Sequence, residues 1–189
     1  SNAPMNRLVQ GDVGSGKTIV AILTAAIVIA QDYQVALMAP TEILAEQHYI
    51  SIKEHCEKVG ISCDVLTSNK PQKEKNIILN RLKSGDLQFI IGTHSIIQSK
   101  VKFNKLGLII IDEQHRFGVE HRKLLVDKGL NPEVLAMTAT PIPRTLSITI
   151  HGDMDISIID ELPKNRLPIK TEIITPKTIK NAYSKIKKE

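Results

Sequence analysis

An eight-residue segment near the start of the chain, Gly11 to Thr18, reads GDVGSGKT and directly follows a short apolar run. It fits the pattern G-x-x-x-x-G-K-[ST], in which glycines let consecutive backbone N–H groups turn inward around phosphate oxygens. The helix that follows such a loop adds its positive end to the same anion. The segment therefore predicts a strand, a phosphate-binding loop and a helix in this order.

The same segment predicts the chemistry of the ligand. In this pattern Lys17 reaches the β- and γ-phosphates of a nucleotide, and Thr18 offers its hydroxyl to a magnesium ion. We expect ATP with Mg²⁺ as the bound cofactor. The predicted nucleotide-binding residues are Gly11, Asp12, Val13, Gly14, Ser15, Gly16, Lys17 and Thr18.

A second segment, 94 residues after the first, predicts the other half of this site. Asp112 and Glu113 follow the apolar run Leu108–Ile111, and carboxylates at the carboxyl end of a buried strand lie where open α/β sheets bind ligands. Asp112 is placed to hold the magnesium ion, directly or through water. Glu113 is placed to orient and deprotonate the water that attacks the γ-phosphate. The structural alternative is a helix N-terminus stabilised by two acidic side chains.

Apolar runs of four to seven residues alternate with helical patterns along the chain, which is typical of βαβ units. We predict a three-layer α/β/α fold of the RecA-like P-loop type with a mostly parallel sheet. The predicted strands are Arg7–Gln10, Gln34–Ala39, Ser62–Leu66, Gln88–Ile91, Leu106–Ile111, Val134–Thr138 and Ile156–Ile159. The predicted helices are Thr18–Ala30, Glu42–Val59, Lys73–Lys83, Glu120–Lys128 and Pro143–Ile150.

The domain prediction follows from length and charge. The 189 residues, 42% of them hydrophobic, suffice for one domain. We expect residues 1–3 to be the remnant of an expression tag, residues 4–163 to form the ATP-binding lobe, and residues 164–189 to be a linker and the start of a missing second lobe. The whole chain has a net charge of +5, and residues 164–189 alone carry +6. The net charge of residues 1–163 is therefore −1. Contact with nucleic acid in this lobe must therefore come from local features.

Other site classes have little support in the sequence. Cys56 and Cys63 match neither a zinc ligand pair nor a redox C-x-x-C motif, and we expect buried thiols in a reducing cytoplasm. The longest apolar stretch, residues 19–30, directly follows the phosphate loop. We therefore predict a buried helix there and no membrane segment.

Five segments, in order, resemble the first RecA-like motor lobe of a superfamily 2 helicase or translocase. Besides the phosphate loop and the DEQH box of residues 112–115, they are Ala39–Glu42, Gly92–His94 and Thr138–Thr140. The resemblance implies that Thr41, Thr93 and His94 contact nucleic-acid phosphates, and that Thr138 and Thr140 couple that surface to the ATP site. Gln114 and His115 would sense nucleotide and signal toward Thr138.

Several of these residues also have structural interpretations. Thr41 could equally cap a helix, and Thr138 and Thr140 could form a turn before Pro141. His115 could simply pack in the interior. We expect Phe117 to belong to the core. Two arginines, Arg116 and Arg144, could form ion pairs or meet DNA phosphates.

Three segments, residues 5–10 with the phosphate loop that follows, 112–119 and 140–145, resemble more specifically the RecG family of bacterial ATP-dependent DNA helicases. The main rival is the motor of a transcription-repair coupling factor, which shares HRFGV and TPIPRT. That motor typically has Phe at the position of Ser15 and Glu at that of Gln114. Gly152-Asp153 and the segment 159–163 also favour RecG.

This resemblance implies a motor that remodels branched DNA, such as replication forks and Holliday junctions, in recombination and repair. It also implies partners within the same protein: an N-terminal wedge domain and a second RecA-like lobe that supplies arginine fingers. Without them the fragment would be nearly inactive. We expect a cytoplasmic monomer. Alternatives from other classes are a P-loop enzyme acting on a small molecule, for which no Arg-rich lid segment appears, and a noncatalytic P-loop scaffold.

Overall fold

The structure is a computed structural model of the chain. It describes residues 4–113, 117, 119–140, 154–161, 171, 173–175, 179 and 183–184. Several predictions concern residues outside this set. They are the tag remnant 1–3, the roles of Gln114, His115, Arg116 and Arg144, the helix Pro143–Ile150, the segment 152–153, the end of the segment 159–163, and most of the predicted linker 164–189.

The described residues form a seven-stranded sheet and four helices. The strands are β1 Asn6–Gly11, β2 Gln34–Met38, β3 Cys63–Leu66, β4 Phe89–Gly92, β5 Leu106–Asp112, β6 Glu133–Thr138 and β7 Asp155–Ile159. The helices are α1 Lys17–Ile29, α2 Glu42–Lys58, α3 Gln72–Ser84 and α4 Val119–Val126. Each predicted strand is found with ends within one residue, and each predicted helix in the described part within two.

All pairings between these strands are parallel, in the order β3-β4-β2-β5-β6-β1-β7. Parallel strands require crossover connections. The four helices supply those from β1 to β2, β2 to β3, β3 to β4 and β5 to β6, whereas the β4–β5 connection, residues 93–105, contains no helix. The predicted α/β fold of the RecA-like type is confirmed, with a sheet that is entirely parallel among the described strands.

Helices cover both faces of the sheet, because alternate residues of each strand point to opposite sides. On β2, Val35 and Leu37 pack in one cluster with residues of α1 and α2. Their neighbours Ala36 and Met38 pack in a second cluster with α3, α4 and Phe117. The fold therefore has the three predicted layers, and Phe117 is a core residue.

A buried glutamine, Gln34, stabilises the sheet at the amino end of β2, opposite the functional site. The side chain of Gln34 is 3% exposed and donates to Leu82 O and Leu87 O, while its Oε1 accepts from Asn104 N and Lys105 N. The β2–β5 register shifts at this position. The four hydrogen bonds of this buried amide stabilise the irregular start of β2, where the regular hydrogen bonding between β2 and β5 is interrupted.

The two cysteines lie together in the cluster that contains α2. Cys56 is buried and Cys63 is half-buried, and both are free thiols. Their hydrogen bond, together with burial, raises the pKa of Cys63, so this thiol is protonated at neutral pH. In the described part of the chain, no helix is long and apolar enough to cross a membrane.

Candidate functional site

The strand register brings the predicted motifs to one rim of the sheet. Gln10 on β1 pairs with Thr138 on β6, and Met137 pairs with Asp112 on β5. Toward the other edge, Met38 on β2 pairs with both Ile111 and Gly92, the residue before Thr93. Because neighbouring strands lie about 4.8 Å apart, the ends of β1 and β5 are about 10 Å apart. Segments 94 residues apart in sequence thus face the same space.

The phosphate loop joins β1 to α1 in the predicted way. Gly14 and Gly16 adopt φ of 79° and 97°, the left-handed region that glycine enters without steric cost. Helix α1 begins at Lys17 with Gly16 as N-cap and no side-chain cap. Ser15 N donates to Asp12 O and Ile19 N to Gly16 O. The N–H groups of Gly16, Lys17 and Thr18, at the start of the helix, are the ones available to an anion.

The side chain of Lys17 is hydrogen-bonded to the start of its own loop. Its ammonium donates to Gly11 O at 2.7 Å and to Asp12 O at 2.8 Å, and Asp12 in turn accepts from Val13 N through Oδ1. The half-buried ammonium is thereby held against the first two residues of the loop 11–18. These carbonyl bonds are ones that a phosphate group can replace.

Two further observations fit a phosphate ligand. Ser15 Oγ is buried and has no hydrogen-bond partner among the described residues. A Cβ atom on Gly11 would lie 2.5 Å from that oxygen and 3.1 Å from Ile159 Cβ, so a larger residue here would require the serine side chain to move. Buried polar atoms normally have a hydrogen-bond partner. A buried hydroxyl without one, beside a tightly packed glycine, is therefore expected in a loop whose polar atoms bind phosphate oxygens.

Asp112 is the last residue of β5, and its side chain is hydrogen-bonded to helix α2. Its Oδ2 accepts from His48 Nε2 on α2 at 2.7 Å, and both side chains are 14% exposed. The described residues contain no cluster of three or more His, Cys, Asp or Glu that could hold a metal alone. One or two carboxylates with phosphate oxygens are the usual protein site for Mg²⁺, and Asp112 with Thr18 fits that requirement.

Glu113 is bonded to the end of β6. Thr138 Oγ1 donates to Glu113 Oε2 at 3.3 Å and accepts from the hydroxyl and the N–H of Thr140, at 2.8 and 3.2 Å. The Thr138 hydroxyl therefore uses its one proton and both lone pairs. Glu113 has a φ of 50°, a conformation that costs a non-glycine residue of order 1–3 kcal/mol and is concentrated at functional sites.

The three predicted phosphate contacts differ in accessibility. Thr41 is exposed and caps α2, where its Oγ1 accepts from Leu44 N at 3.3 Å. Thr93 is 7% exposed. His94 is exposed, but its ring lies 5.5 Å from that of Phe117 and 4.6 Å from that of His121. Partial desolvation of the ring, with a smaller contribution from the neighbouring His121, lowers the pKa of His94.

A cleft of about 170 Å³ beside Thr93 was not predicted from the sequence. Its polar and cationic lining residues are Thr67, Ser68, Lys75, Ser95, Gln98 and Lys100. Ser95 donates to Leu66 O and Lys75 to Ser68 O, whereas Lys100 forms no ion pair with a described residue. Polar residues directly after β3 and β4 were the signal that could have indicated this cleft.

His48 was also missed. It lies on the buried side of α2 between Ala45 and Ile52, at the three- and four-residue spacing of a core-facing stripe. A histidine at such a position must find a polar partner. That interruption of an apolar stripe is visible in the sequence.

Comparison with known proteins identifies the family of the chain that carries this site. A model of the family described as DEAD/DEAH box helicase matches residues 2–148. The chain belongs to the DEAD/DEAH box helicase family. The helicase resemblance drawn from the five motif segments is therefore confirmed.

Individual relatives of this helicase lobe are RecG proteins, so the narrower resemblance is confirmed as well. The chain is 51% identical over 190 residues to the ATP-dependent DNA helicase RecG of Aquifex aeolicus and 55% identical over 167 residues to that of Bacillus subtilis. A solved structure of RecG bound to a three-way DNA junction matches with a TM-score of 0.84 and 40% identity.

The helicase lobe spans about a quarter of these proteins. The matches cover 100% and 88% of this chain but 24% of each RecG sequence, and 98% of this chain but 25% of the junction-bound structure.

Proposed function

We propose that the chain is the ATP-binding motor lobe of a longer ATP-dependent DNA helicase that remodels branched DNA. The observation that carries this proposal is the convergence of the loop 11–18, the Asp112–Glu113 pair and Thr138 at one sheet rim. In an open parallel sheet this rim is where ligands bind.

The lobe's residues divide the binding of Mg²⁺-ATP among them. The loop N–H groups and Lys17 bind the phosphates, while Thr18 and Asp112 hold the metal. Bound Mg²⁺-ATP supplies the γ-phosphoryl group whose hydrolysis drives the motor. The Lys17 ammonium now donates to two neutral carbonyl oxygens, Gly11 O and Asp12 O. Charged phosphate oxygens in their place would give stronger hydrogen bonds.

Glu113 has the catalytic role in this proposal. With Mg²⁺-ATP bound, its carboxylate would hold the attacking water and accept a proton from it. The bond from Thr138 fixes the carboxylate and connects it to Thr140. Through this connection a change at Thr138 would alter the orientation of the base, which is a route for coupling. Gln114 and His115, the next residues along the chain, take part in the same coupling by resemblance to the helicases.

The DNA surface lies on the same rim, toward β3. Thr41, Thr93 and His94 stand at the carboxyl ends of β2 and β4, and the cleft with Lys75 and Lys100 adjoins them. Hydroxyls, N–H groups and a few lysines bind phosphates without reading bases. That mode suits a motor moving along any sequence, and it needs no large basic excess.

The choice of branched DNA rests on the relatives. A RecG structure is described as bound to a three-way DNA junction, and this chain matches it over nearly its full length. We propose the same substrate class here, and a wedge domain and second RecA-like lobe in the same polypeptide. We further propose a cytoplasmic monomer that acts at replication forks and Holliday junctions.

The test is ATP hydrolysis by the full-length protein with no DNA, linear duplex or a three-way junction, at equal nucleotide concentrations. We expect stimulation by DNA, with the junction more effective than the duplex, and loss of hydrolysis in Lys17→Ala. Hydrolysis that is indifferent to DNA would contradict the motor proposal. Equal stimulation by duplex and junction would contradict the substrate class alone.

A further inference from the structure

We propose that His48 is a positioning residue for the predicted metal ligand Asp112, and that it makes α2 a direct mechanical link between the DNA rim and the ATP site. The inference rests on the proposed function, and it adds a second connection to the one through Thr138.

The first support is the contact itself. His48 Nε2 lies 2.7 Å from Asp112 Oδ2, and both side chains are 14% exposed. A carboxylate only accepts, so the imidazole donates its Nε2 proton. Among the described residues, Asp112 Oδ1 has no hydrogen-bond partner. One carboxylate oxygen is thus fixed by α2 while the other is left for a metal or its water, which is the arrangement by which outer partners orient metal ligands.

The second support is the position of His48 in α2. The buried residues of this helix are Ala45, Ile52 and Cys56, and His48 falls on the same stripe. An apolar residue there would continue the core. The site instead accepts a polar ring whose desolvation must be offset by the bond to Asp112. Because the ring is only 14% exposed and is hydrogen-bonded to Asp112, it has little freedom to turn away from the carboxylate.

The third support is what the start of α2 contacts. Thr41 caps the helix, and Glu42 accepts from Ser68 N at 2.6 Å and from Asn69 Nδ2 at 2.7 Å. Ser68 lines the cleft assigned to DNA phosphates. The first turn of α2 is therefore fastened to the proposed DNA surface.

The geometry of the helix connects the two ends. Thr41 and His48 are seven residues apart, which is two turns and a rise of about 10 Å on nearly the same side of a helix. Over that length a helix moves as a rigid body. A displacement of its first turn by bound DNA shifts the His48 ring, and with it the Asp112 carboxylate, without passing through β6 or Glu113.

Matched substitutions separate the hydrogen bond from the volume of the ring. His48→Gln keeps an N–H donor at nearly the reach of Nε2, whereas His48→Leu fills the space without a donor. His55→Ala is the control, because His55 is an exposed histidine of the same helix. The primary readout is the affinity of the full-length protein for Mn²⁺ in the presence of ADP, measured by electron paramagnetic resonance. Thermal unfolding of each variant confirms that it is folded.

We expect Mn²⁺ affinity to fall about 10- to 100-fold in His48→Leu, and to stay within about threefold of wild type in His48→Gln and His55→Ala. Wild-type affinity in His48→Leu, or equal losses in the Leu and Gln variants, would overturn the positioning role. If the proposed function itself is wrong, wild-type protein will show no nucleotide-dependent Mn²⁺ binding or no DNA-stimulated hydrolysis, which is a different result.

The mechanical link has its own readout in the same assay. Addition of a three-way junction should change the Mn²⁺ affinity of wild type and of His48→Gln by a larger factor than that of His48→Leu, which keeps only the connection through Thr138. No change in wild type, or an equal change in His48→Leu, would overturn the link through α2.

Discussion

Replacement of Thr138 by valine tests whether the end of β6 controls the catalytic carboxylate. Thr138 is 1% exposed, and valine fits the same space without the hydroxyl. The substitution removes the donor to Glu113 and the acceptor for Thr140. Because Thr140 is exposed, its own polar groups can turn to water. We therefore expect the free energy of unfolding to change by less than about 1 kcal/mol.

The expected effect on catalysis is larger. A hydrogen bond to a charged acceptor contributes about 1.5–3 kcal/mol, and the 3.3 Å distance places this one at the low end. A loss of about 1.4 kcal/mol reduces the oriented population of Glu113 about tenfold. In the full-length protein, kcat for DNA-stimulated hydrolysis should fall by about that factor. KM for ATP should not change, because Lys17, Thr18 and Asp112 are untouched.

Thr138→Ser is the matched control, since it keeps the hydroxyl and loses only a methyl group. It should retain most of the wild-type kcat. A Thr138→Val enzyme with kcat within twofold of wild type would refute the reasoning. A rise in KM with unchanged kcat would also refute it, because it would place Thr138 in nucleotide binding.

Three further predictions address the scaffold, the loop and the DNA surface. Gln34→Leu removes the donor to Leu87 O and the acceptor of Asn104 N and Lys105 N, so thermal unfolding of the chain should occur about 10 °C lower; an unchanged midpoint would show that the network is not needed. Gly11→Ala should weaken nucleotide binding about 10- to 100-fold by calorimetry, because its Cβ meets Ser15 Oγ at 2.5 Å, and wild-type affinity would contradict the tight loop. Lys100→Ala should lower the slope of log affinity for DNA against log salt by about one, whereas an unchanged slope would remove Lys100 from the phosphate contacts.

The architecture could be predicted from the sequence because its signals are local. A short apolar run predicts a buried strand, and the GDVGSGKT loop requires a strand before it and a helix after it. Once the strands are parallel, their carboxyl ends must share a rim. The proximity of the loop to Asp112 then follows from topology without any knowledge of side-chain contacts.

The contacts around the carboxylates could not be predicted in this way. His48 and Asp112 are 64 residues apart, and their bond depends on how far α2 extends over β5. The Glu113–Thr138 bond depends on a left-handed φ at Glu113 that no residue preference indicates. The burial of Thr93 could not be predicted from its motif either, because it depends on the packing between β4 and its neighbours.

The most direct test of the central claim is a crystal structure of the chain with Mg²⁺ and a nonhydrolysable ATP analogue. The account predicts phosphates on the N–H groups of residues 11–18, with Lys17 moved from Gly11 O and Asp12 O to a phosphate oxygen. It also predicts the metal between Thr18 and Asp112, with His48 still bonded to the carboxylate. Nucleotide bound away from this loop, or a metal that contacts neither Thr18 nor Asp112, would contradict it.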